Sequence, residues 1–126
     1  MGKRRWRHYE TNAGRRPVKE FLETLREKDA AAVAVAMEEI QMEGLEAARH
    51  LRGKIYEVRT DGTRVTYRIL FAPQGRRSQI LLTLASFEKK TQKTPPQMIR
   101  LAQRRLRDWE QRGIERRRAR RVSSLS

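Results

Sequence analysis

The sequence predicts an α+β domain: a small antiparallel sheet, an N-terminal helical hairpin on one face of the sheet, and a C-terminal helix. Three observations predict this fold. Two helical stripes follow one another near the N-terminus, three strand-length segments come next, and a capped amphipathic helix follows them. The 126 residues suffice for one domain with a single core.

A short strand and a helix are predicted first. Residues 6–10 alternate between polar and apolar side chains, as a strand does. Pro17 suits a first helical turn, because its fixed φ is already helical and its missing N–H would have no partner there. The apolar residues after it have the spacing of one packed helical face: Val18, Phe21, Leu22 and Leu25.

A second, alanine-rich helix is predicted over residues 30–43, ended by Gly44. The link between the two helices is short, which predicts an antiparallel helical hairpin. The apolar face of the second helix consists of Val33, Met37 and Ile40.

Two strands joined by a turn are predicted between residues 55 and 71, with residues 49–54 as a basic connector before them. Asp61-Gly62 is a dipeptide that two-residue hairpin turns prefer, and it would place Arg59 opposite Arg64. Strand alternation then divides the side chains between two faces. The face expected under the helices carries Tyr56, Val58, Val65, Tyr67, Ile69 and Phe71, and the open face carries Ile55, Glu57, Arg59, Arg64, Thr66 and Arg68.

The rest of the chain predicts a buried strand, a helix and a tail. Residues 78–87 are almost continuously apolar, which indicates a central strand. Thr94 and Gln97 fit a capping box, with Pro95 as the first helical residue and an apolar seam of Met98, Ala102, Leu106 and Trp109. We therefore expect a domain over residues 1–110 and a basic, disordered tail over residues 111–126.

The charge indicates a polyanionic partner. Thirty Lys and Arg residues stand against 15 Asp and Glu residues, a net charge of +15. Residues 20–50 contain eight acidic and three basic residues, so the remaining chain bears +20. The alternative interpretation is a proteome that simply prefers arginine on protein surfaces.

Several classes of site are excluded. Without cysteine the chain has no disulfide, thiolate nucleophile or cysteine zinc site. The longest apolar run is strand-length and no signal peptide is evident, so we expect a cytoplasmic protein that does not enter a membrane. His8 and His50 lack acidic neighbours at ligand spacing, and we predict no metal and no cofactor.

Clustered cations form the candidate site. Opposed arginines at positions 59 and 64 weaken a hairpin unless an anion such as phosphate lies between them. The alternative is that both side chains extend into water. Lys89, Lys90 and Lys93 leave the central strand and enter the cap of the last helix, and residues 87–90 should lie beside Arg64. The alternative is that these lysines are merely solvated. His50 is a candidate general base, or a surface histidine without a role.

Four segments resemble the phage-derived, HigB-like branch of the RelE/ParE toxins: RPVKEFL, LRGKIYEVR, RVTYRILF and KKTQKTP. The likeness covers about residues 6–110 and implies a RelE-like fold. It also implies a ribosome-dependent mRNA endonuclease that uses no metal, in which the 2′-OH of the RNA attacks the adjacent phosphate. The implied partners are mRNA, the ribosome and a DNA-binding antitoxin of helix-turn-helix type.

The resemblance also implies roles for individual residues. Arg59 and Arg64 would hold the scissile phosphate, with Lys89 and Lys90 as the catalytic basic cluster after the last strand. Contacts to nucleic acid would come from Lys54, Arg68, Lys93 and His50. Relatives often have His-Gly where this chain has Ala85 and Ser86. Another group, such as Glu57, Lys54 or His50, must then replace that histidine, or the activity is weak or absent.

Two other functions fit the same sequence. One is a ParE-like gyrase inhibitor of the same fold, and the other is a non-catalytic, phage-derived protein that coats nucleic acid. The basic tail either adds affinity for ribosomal RNA or only keeps the chain in solution. An antitoxin is expected on the helical side, where acidic and apolar residues lie.

Overall fold

The computed structural model describes residues 3–90 and 93–125 and confirms the α+β class. Short 3₁₀ segments at Leu45–Ala47 and Arg76–Ser78 connect longer elements. The strands and helices in these residues are β1 (Arg5–His8), α1 (Pro17–Glu23), α2 (Glu27–Glu43), β2 (Arg49–Arg52), β3 (Ile55–Asp61), β4 (Thr66–Gln74), β5 (Ile80–Lys89) and α3 (Pro96–Leu125).

The described strands form one sheet in the order β1-β5-β4-β3-β2. Neighbours are antiparallel except β1, which pairs in parallel with β5. Strand β5 is an interior strand, paired with β1 and β4, as its continuous apolar sequence predicted. Strand β2 was predicted as a connector, because its sequence RHLR offers only one apolar residue, Leu51. In the structure it is an edge strand that pairs with β3 alone.

Helices cover both faces of the sheet. Helices α1 and α2 lie on the predicted face, and α3 covers the face that the sequence predicted to be open. The first core contains Val18, Val33, Met37, Ile40, Val58, Tyr67, Ile69, Phe71 and Leu81. The second contains Tyr9, Ile55, Leu70, Ala72, Leu82, Leu84, Ala85, Ile99, Ala102 and Leu106.

The start of α1 and the end of α2 follow the predicted signals. Pro17 lies in the first turn of α1. Helix α2 begins at Glu27, three residues before the predicted start, and ends at Gly44, whose φ of 91° favours glycine.

The predicted two-residue turn is wrong. Asp61 pairs with Thr66, so residues 62–65 form the loop, and Arg59 lies opposite Arg68 instead of Arg64. The pairing is displaced by an even number of residues, which leaves the side chains of the paired residues on their predicted faces. The loop is held by a contact outside the hairpin: the backbone N–H and hydroxyl of Thr63 both donate to the carboxylate of Asp29 in α2.

Helix α3 continues to Leu125, through the segment for which the sequence predicts disorder. Gly113 costs about 1 kcal/mol relative to alanine inside a helix, but the arginines, alanine and glutamate around it are good helix formers. Residues 114–125 are exposed. The division into a domain of residues 1–110 and a basic extension stays a prediction.

Candidate functional site

Cationic side chains meet on the sheet face that α3 covers. Arg59 on β3 lies opposite Arg68 on β4, which in turn lies opposite Phe87 on β5. Lys89, two residues after Phe87 and on the same face, lies opposite Thr66. We call this set, with one arginine of β2, the basic corner: Arg49, Arg59, Arg68 and Lys89.

A buried carboxylate lies within the basic corner. Glu57 is 1% exposed and lies opposite Arg49 in the sheet. Its carboxylate accepts hydrogen bonds from the Thr94 hydroxyl and from Arg59, whose Nε and Nη2 lie 3.2 and 3.1 Å away. Nη1 of Arg68 donates to the same hydroxyl oxygen at 3.3 Å. Glu57 and Thr94 therefore link two arginines of neighbouring strands.

The electrostatics of the corner favour an anion. Burial lowers the pKa of Arg68, and the positive charges of Arg59 and Arg49 lower this pKa further, while Glu57 raises it. Three guanidinium groups thus surround one carboxylate and leave an excess of positive charge. A phosphate would reduce the repulsion between them.

The lysines of the KKTQKTP segment lie at or next to this corner. Lys89 ends β5 beside Thr66, and the exposed Lys90 follows directly. Residues 91 and 92 lie outside the described part of the chain. Lys93 is exposed and adjacent in sequence to Thr94, which bonds to Glu57. Thr94 therefore brings the segment before α3 to the same corner.

Arg64 is separated from Arg59, so the predicted opposition of these two arginines across the hairpin is wrong. Arg64 lies in the loop after β3 and lines a cavity of about 440 Å³ together with Asp29, Tyr67 and Glu88. This cavity lies against α2, on the opposite side of the sheet from the corner. Of the two arginines, only Arg59 remains with the lysines.

Arg68 was expected to contact nucleic acid, but its side chain is buried. It is 1% exposed, and its guanidinium group lies beneath the surface of the corner. Its position suits it to hold Thr94 and Glu57 rather than to meet an incoming strand.

His50 and Lys54 lie away from the corner. Nε2 of His50 donates to the carbonyl oxygen of Gly53 at 2.7 Å, and its ring lies 4.9 Å from that of Tyr56 on the α2 side of the sheet. Nζ of Lys54 lies 3.5 Å from the Glu110 carboxylate, beyond the opposite end of β3 from Arg59. Their expected roles in binding nucleic acid stay predictions without support from proximity.

Ala85 and Ser86 occupy the positions where relatives often carry histidine and glycine. Ala85 is fully buried under α3, opposite Leu70. A β-bulge just before it leaves the carbonyl of Leu84 to accept a hydrogen bond from Nη1 of Arg105 at 2.8 Å. A methyl group therefore fills this position, and no proton-transfer group stands there.

Sequence reasoning missed one member of the corner, Arg49, and one residue that bonds to the corner, Thr94. Thr94 resembled a helix cap, but α3 begins at Pro96 and the hydroxyl bonds to Glu57 instead. Arg49 was placed in a connector. The contact between Thr94 and Glu57 has no local signal, because the two residues lie far apart in sequence. The only indication of β2 would have been the alternation within the short segment RHLR.

The described residues contain no group of three or more His, Asp or Glu side chains that could hold a metal ion. None of the helices within residues 3–90 and 93–125 has the length and apolar character needed to cross a membrane.

Comparison with known proteins gives one family. The model described as phage derived protein Gp49-like (DUF891) matches residues 20–107, well over half of the chain. The match includes the whole basic corner and the KKTQKTP segment, and this family is associated with RelE/ParE-like toxins. A search of curated proteins gave no significant match.

Proposed function

The chain belongs to the Gp49-like family of phage-derived proteins, and from this premise we propose that it is the toxin of a type II toxin–antitoxin system. In this proposal it is a HigB-like endonuclease that cleaves mRNA on the ribosome without a metal ion or cofactor. Its partners are the ribosome, mRNA and an antitoxin. The antitoxin binds the face formed by α1 and α2 and keeps the toxin inactive.

The basic corner is the observation that carries the proposal. Strands β3 and β5 and the segments after β5 and before α3 bring Arg59, Lys89, Lys90 and Lys93 to one region of the protein. Fixed cations are what an RNA phosphate needs, because they bind the backbone and stabilise the charge that develops during cleavage.

The chemistry assigns distinct tasks to these groups. The 2′-oxygen of the RNA forms a bond to phosphorus while the bond from phosphorus to the 5′-oxygen breaks. The products are a 2′,3′-cyclic phosphate and a 5′-hydroxyl, so the proton lost by the 2′-hydroxyl is matched by one gained by the leaving oxygen. Arg59 orients the phosphate, since Glu57 fixes its guanidinium. Lys89 and Lys90 stabilise the added negative charge. The 2′-hydroxyl gives its proton to solvent water, and a lysine ammonium donates one to the 5′-oxygen and regains it from water.

One observation favours a second candidate, a nucleic-acid-binding protein without catalysis. The buried methyl group of Ala85 stands where relatives often have an ionisable side chain, and the corner's carboxylate, Glu57, is buried and hydrogen-bonded. Such a protein would keep the charge of the corner and lose the proton transfer.

Mapping the 5′ ends of cellular mRNA after induction in a bacterial host tests the proposal. The wild-type protein should give new cuts in phase with codons, and these should vanish in Arg59→Gln and in the Lys89→Gln/Lys90→Gln double variant. Arg76→Gln is the matched control, because Arg76 is exposed beyond the far end of β4.

The same experiment separates the alternatives. DNA breaks with intact mRNA would replace the nuclease with a gyrase inhibitor. Growth without cuts or DNA breaks, despite a folded protein, would favour the non-catalytic binding protein. Arg64→Gln should retain most of the cutting, because Arg64 lies on the other side of the sheet.

A further inference from the structure

A second concentration of arginine surrounds Trp109, away from the basic corner. The guanidinium carbons of Arg7, Arg112 and Arg116 lie 4.8, 5.6 and 5.9 Å from the centre of the indole ring. Trp109 lies 13 residues after the start of α3 at Pro96, or about 20 Å along the helix from the corner. The two regions are therefore separate sites.

Buried contacts fix this part of α3 against the residues after β1. The hydroxyl of Tyr9 donates to Asp108 at 2.6 Å, and the rings of Tyr9 and Trp109 lie 6.2 Å apart. Arg112 bonds both to Asp108 and to the carbonyl oxygen of Glu10. The indole is thus held in a defined place, a property that a stacking platform requires.

A cavity of about 300 Å³ opens beside the indole. Strand β1 and the loop before α1 supply Arg7 and Arg16 to one wall, and α3 supplies Arg112 and Arg116 to the other. Glu10 is the only acidic side chain among the described lining residues, and it pairs with Arg16 at 2.9 Å. We call this cavity the arginine cleft.

Exposed arginines continue from the arginine cleft along the end of α3. Residues 116, 117 and 120 follow Trp109 by seven, eight and eleven positions, so helical periodicity places them on its side of the helix. All three are arginines and all are exposed. A strand leaving the cleft would pass along a continuous row of cations.

We propose that the arginine cleft binds single-stranded RNA, with phosphates between its two walls and one unpaired base stacked on Trp109. Guanidinium groups on both walls suit a polyanion, and an aromatic face beside them suits a base without regard to its identity. A duplex could use the charges but not the indole, because its bases are already stacked. The incoming base displaces the exposed guanidinium of Arg7 from the ring, and that group then pairs with a phosphate. This binding is distinct from cleavage and does not require it.

The test is the equilibrium binding of a fluorescent 2′-O-methyl oligonucleotide, which cannot undergo cleavage through its 2′-oxygen. The Arg7→Gln/Arg116→Gln variant should bind at least tenfold more weakly and lower the slope of log K against log salt by about 1.4. The Arg76→Gln/Arg104→Gln variant removes the same charge from exposed arginines elsewhere and should lose no more than about threefold. Circular dichroism verifies that each variant is folded.

One further variant makes the proposal specific. Trp109→Leu should weaken single-strand binding about tenfold while leaving duplex binding within twofold. Because the 2′-O-methyl oligonucleotide reports binding without cleavage, failure of the nuclease proposal would not affect this one. Equal losses in the two double-arginine variants would overturn the proposal in favour of general surface charge. Tight competition by polyglutamate, insensitive to Trp109→Leu, would overturn it in favour of an acidic protein partner.

Discussion

Arg59 and Arg68 lie directly opposite each other on neighbouring strands, with the carboxylate of Glu57 hydrogen-bonded to the first and linked through Thr94 to the second. Like charges in such a pair ordinarily weaken an antiparallel ladder. Here the buried carboxylate offsets part of the repulsion, and the remaining positive charge is available to a bound anion. The corner thus combines a structural requirement with a proposed functional one.

Replacement of Glu57 should therefore destabilise the fold. Glu57→Gln removes the negative charge that lies between buried or half-buried arginines, and we expect a loss of about 3 kcal/mol in the free energy of unfolding. Urea denaturation at neutral pH measures this loss. Glu46→Gln, at an exposed position, is the control and should change the value by less than about 0.5 kcal/mol. A similar small change in both variants would mean that the corner does not depend on its carboxylate.

The contact between Tyr67 and Asp29 should make stability depend on pH. The hydroxyl of Tyr67 donates to Asp29 at 2.6 Å, and this bond, with those from Thr63, lowers the pKa of Asp29 below its usual 3.8. The stabilisation is present above the pKa of the unfolded state and is lost as pH falls through the lower folded pKa. The same contact raises the pKa of Tyr67 to about 12.

Asp29→Asn tests whether the stability contributed by Asp29 is lost as pH falls. The gap in urea midpoint between wild type and variant should be widest near pH 6 and should narrow as pH falls below 4. Glu43→Gln, exposed near the end of the same helix, should show no such narrowing. A constant gap from pH 6 to pH 2 would show that the Asp29 carboxylate is not the titrating group.

Two glycines should respond in opposite ways to alanine. A Cβ at Gly62 would lie 2.3 Å from Cε2 of Tyr67 and 3.0 Å from Oδ2 of Asp29, so Gly62→Ala should displace the loop and destabilise the protein by about 1–3 kcal/mol. A Cβ at Gly113 would meet only Nη1 of Arg117, at 3.7 Å. Gly113→Ala should therefore stabilise the helix by up to about 1 kcal/mol.

Thermal unfolding and far-ultraviolet circular dichroism compare these two variants. Gly113→Ala should increase the helical signal if residues 113–125 form the end of α3. An unchanged helical signal would favour the disordered tail that the sequence predicted.

The sequence was sufficient for the faces of the strands and insufficient for their register. Periodicity identified Val58, Tyr67 and Ile69 as core residues, because alternation depends on each strand alone. The turn prediction used Asp61-Gly62 alone, whereas the observed loop depends on Asp29, far away in sequence. A tertiary hydrogen bond therefore overrode the local preference of the turn.

The candidate site was predictable to a similar extent. The lysines after β5 could be located from the apolar strand that precedes them, and Arg59 from its place in β3. The burial of Arg68 and its link to Thr94 could not be anticipated, because both follow from the packing of α3 on the second face of the sheet. Composition predicted the net positive charge but not its division between the basic corner and the arginine cleft.

Introducing histidine at position 85 tests whether the missing side chain of the relatives could act in this chain. Ala85 is fully buried in the same core as Leu70 and Ala102, so the larger imidazole must displace packed side chains. We expect Ala85→His to lower the free energy of unfolding by about 1–3 kcal/mol and to give no increase in mRNA cuts. Ala85→Ser, a small substitution at the same position, controls for the change in polarity. A folded Ala85→His protein with clearly increased cutting would instead mean that the corner can admit an imidazole, and that its lysines alone provide incomplete proton transfer.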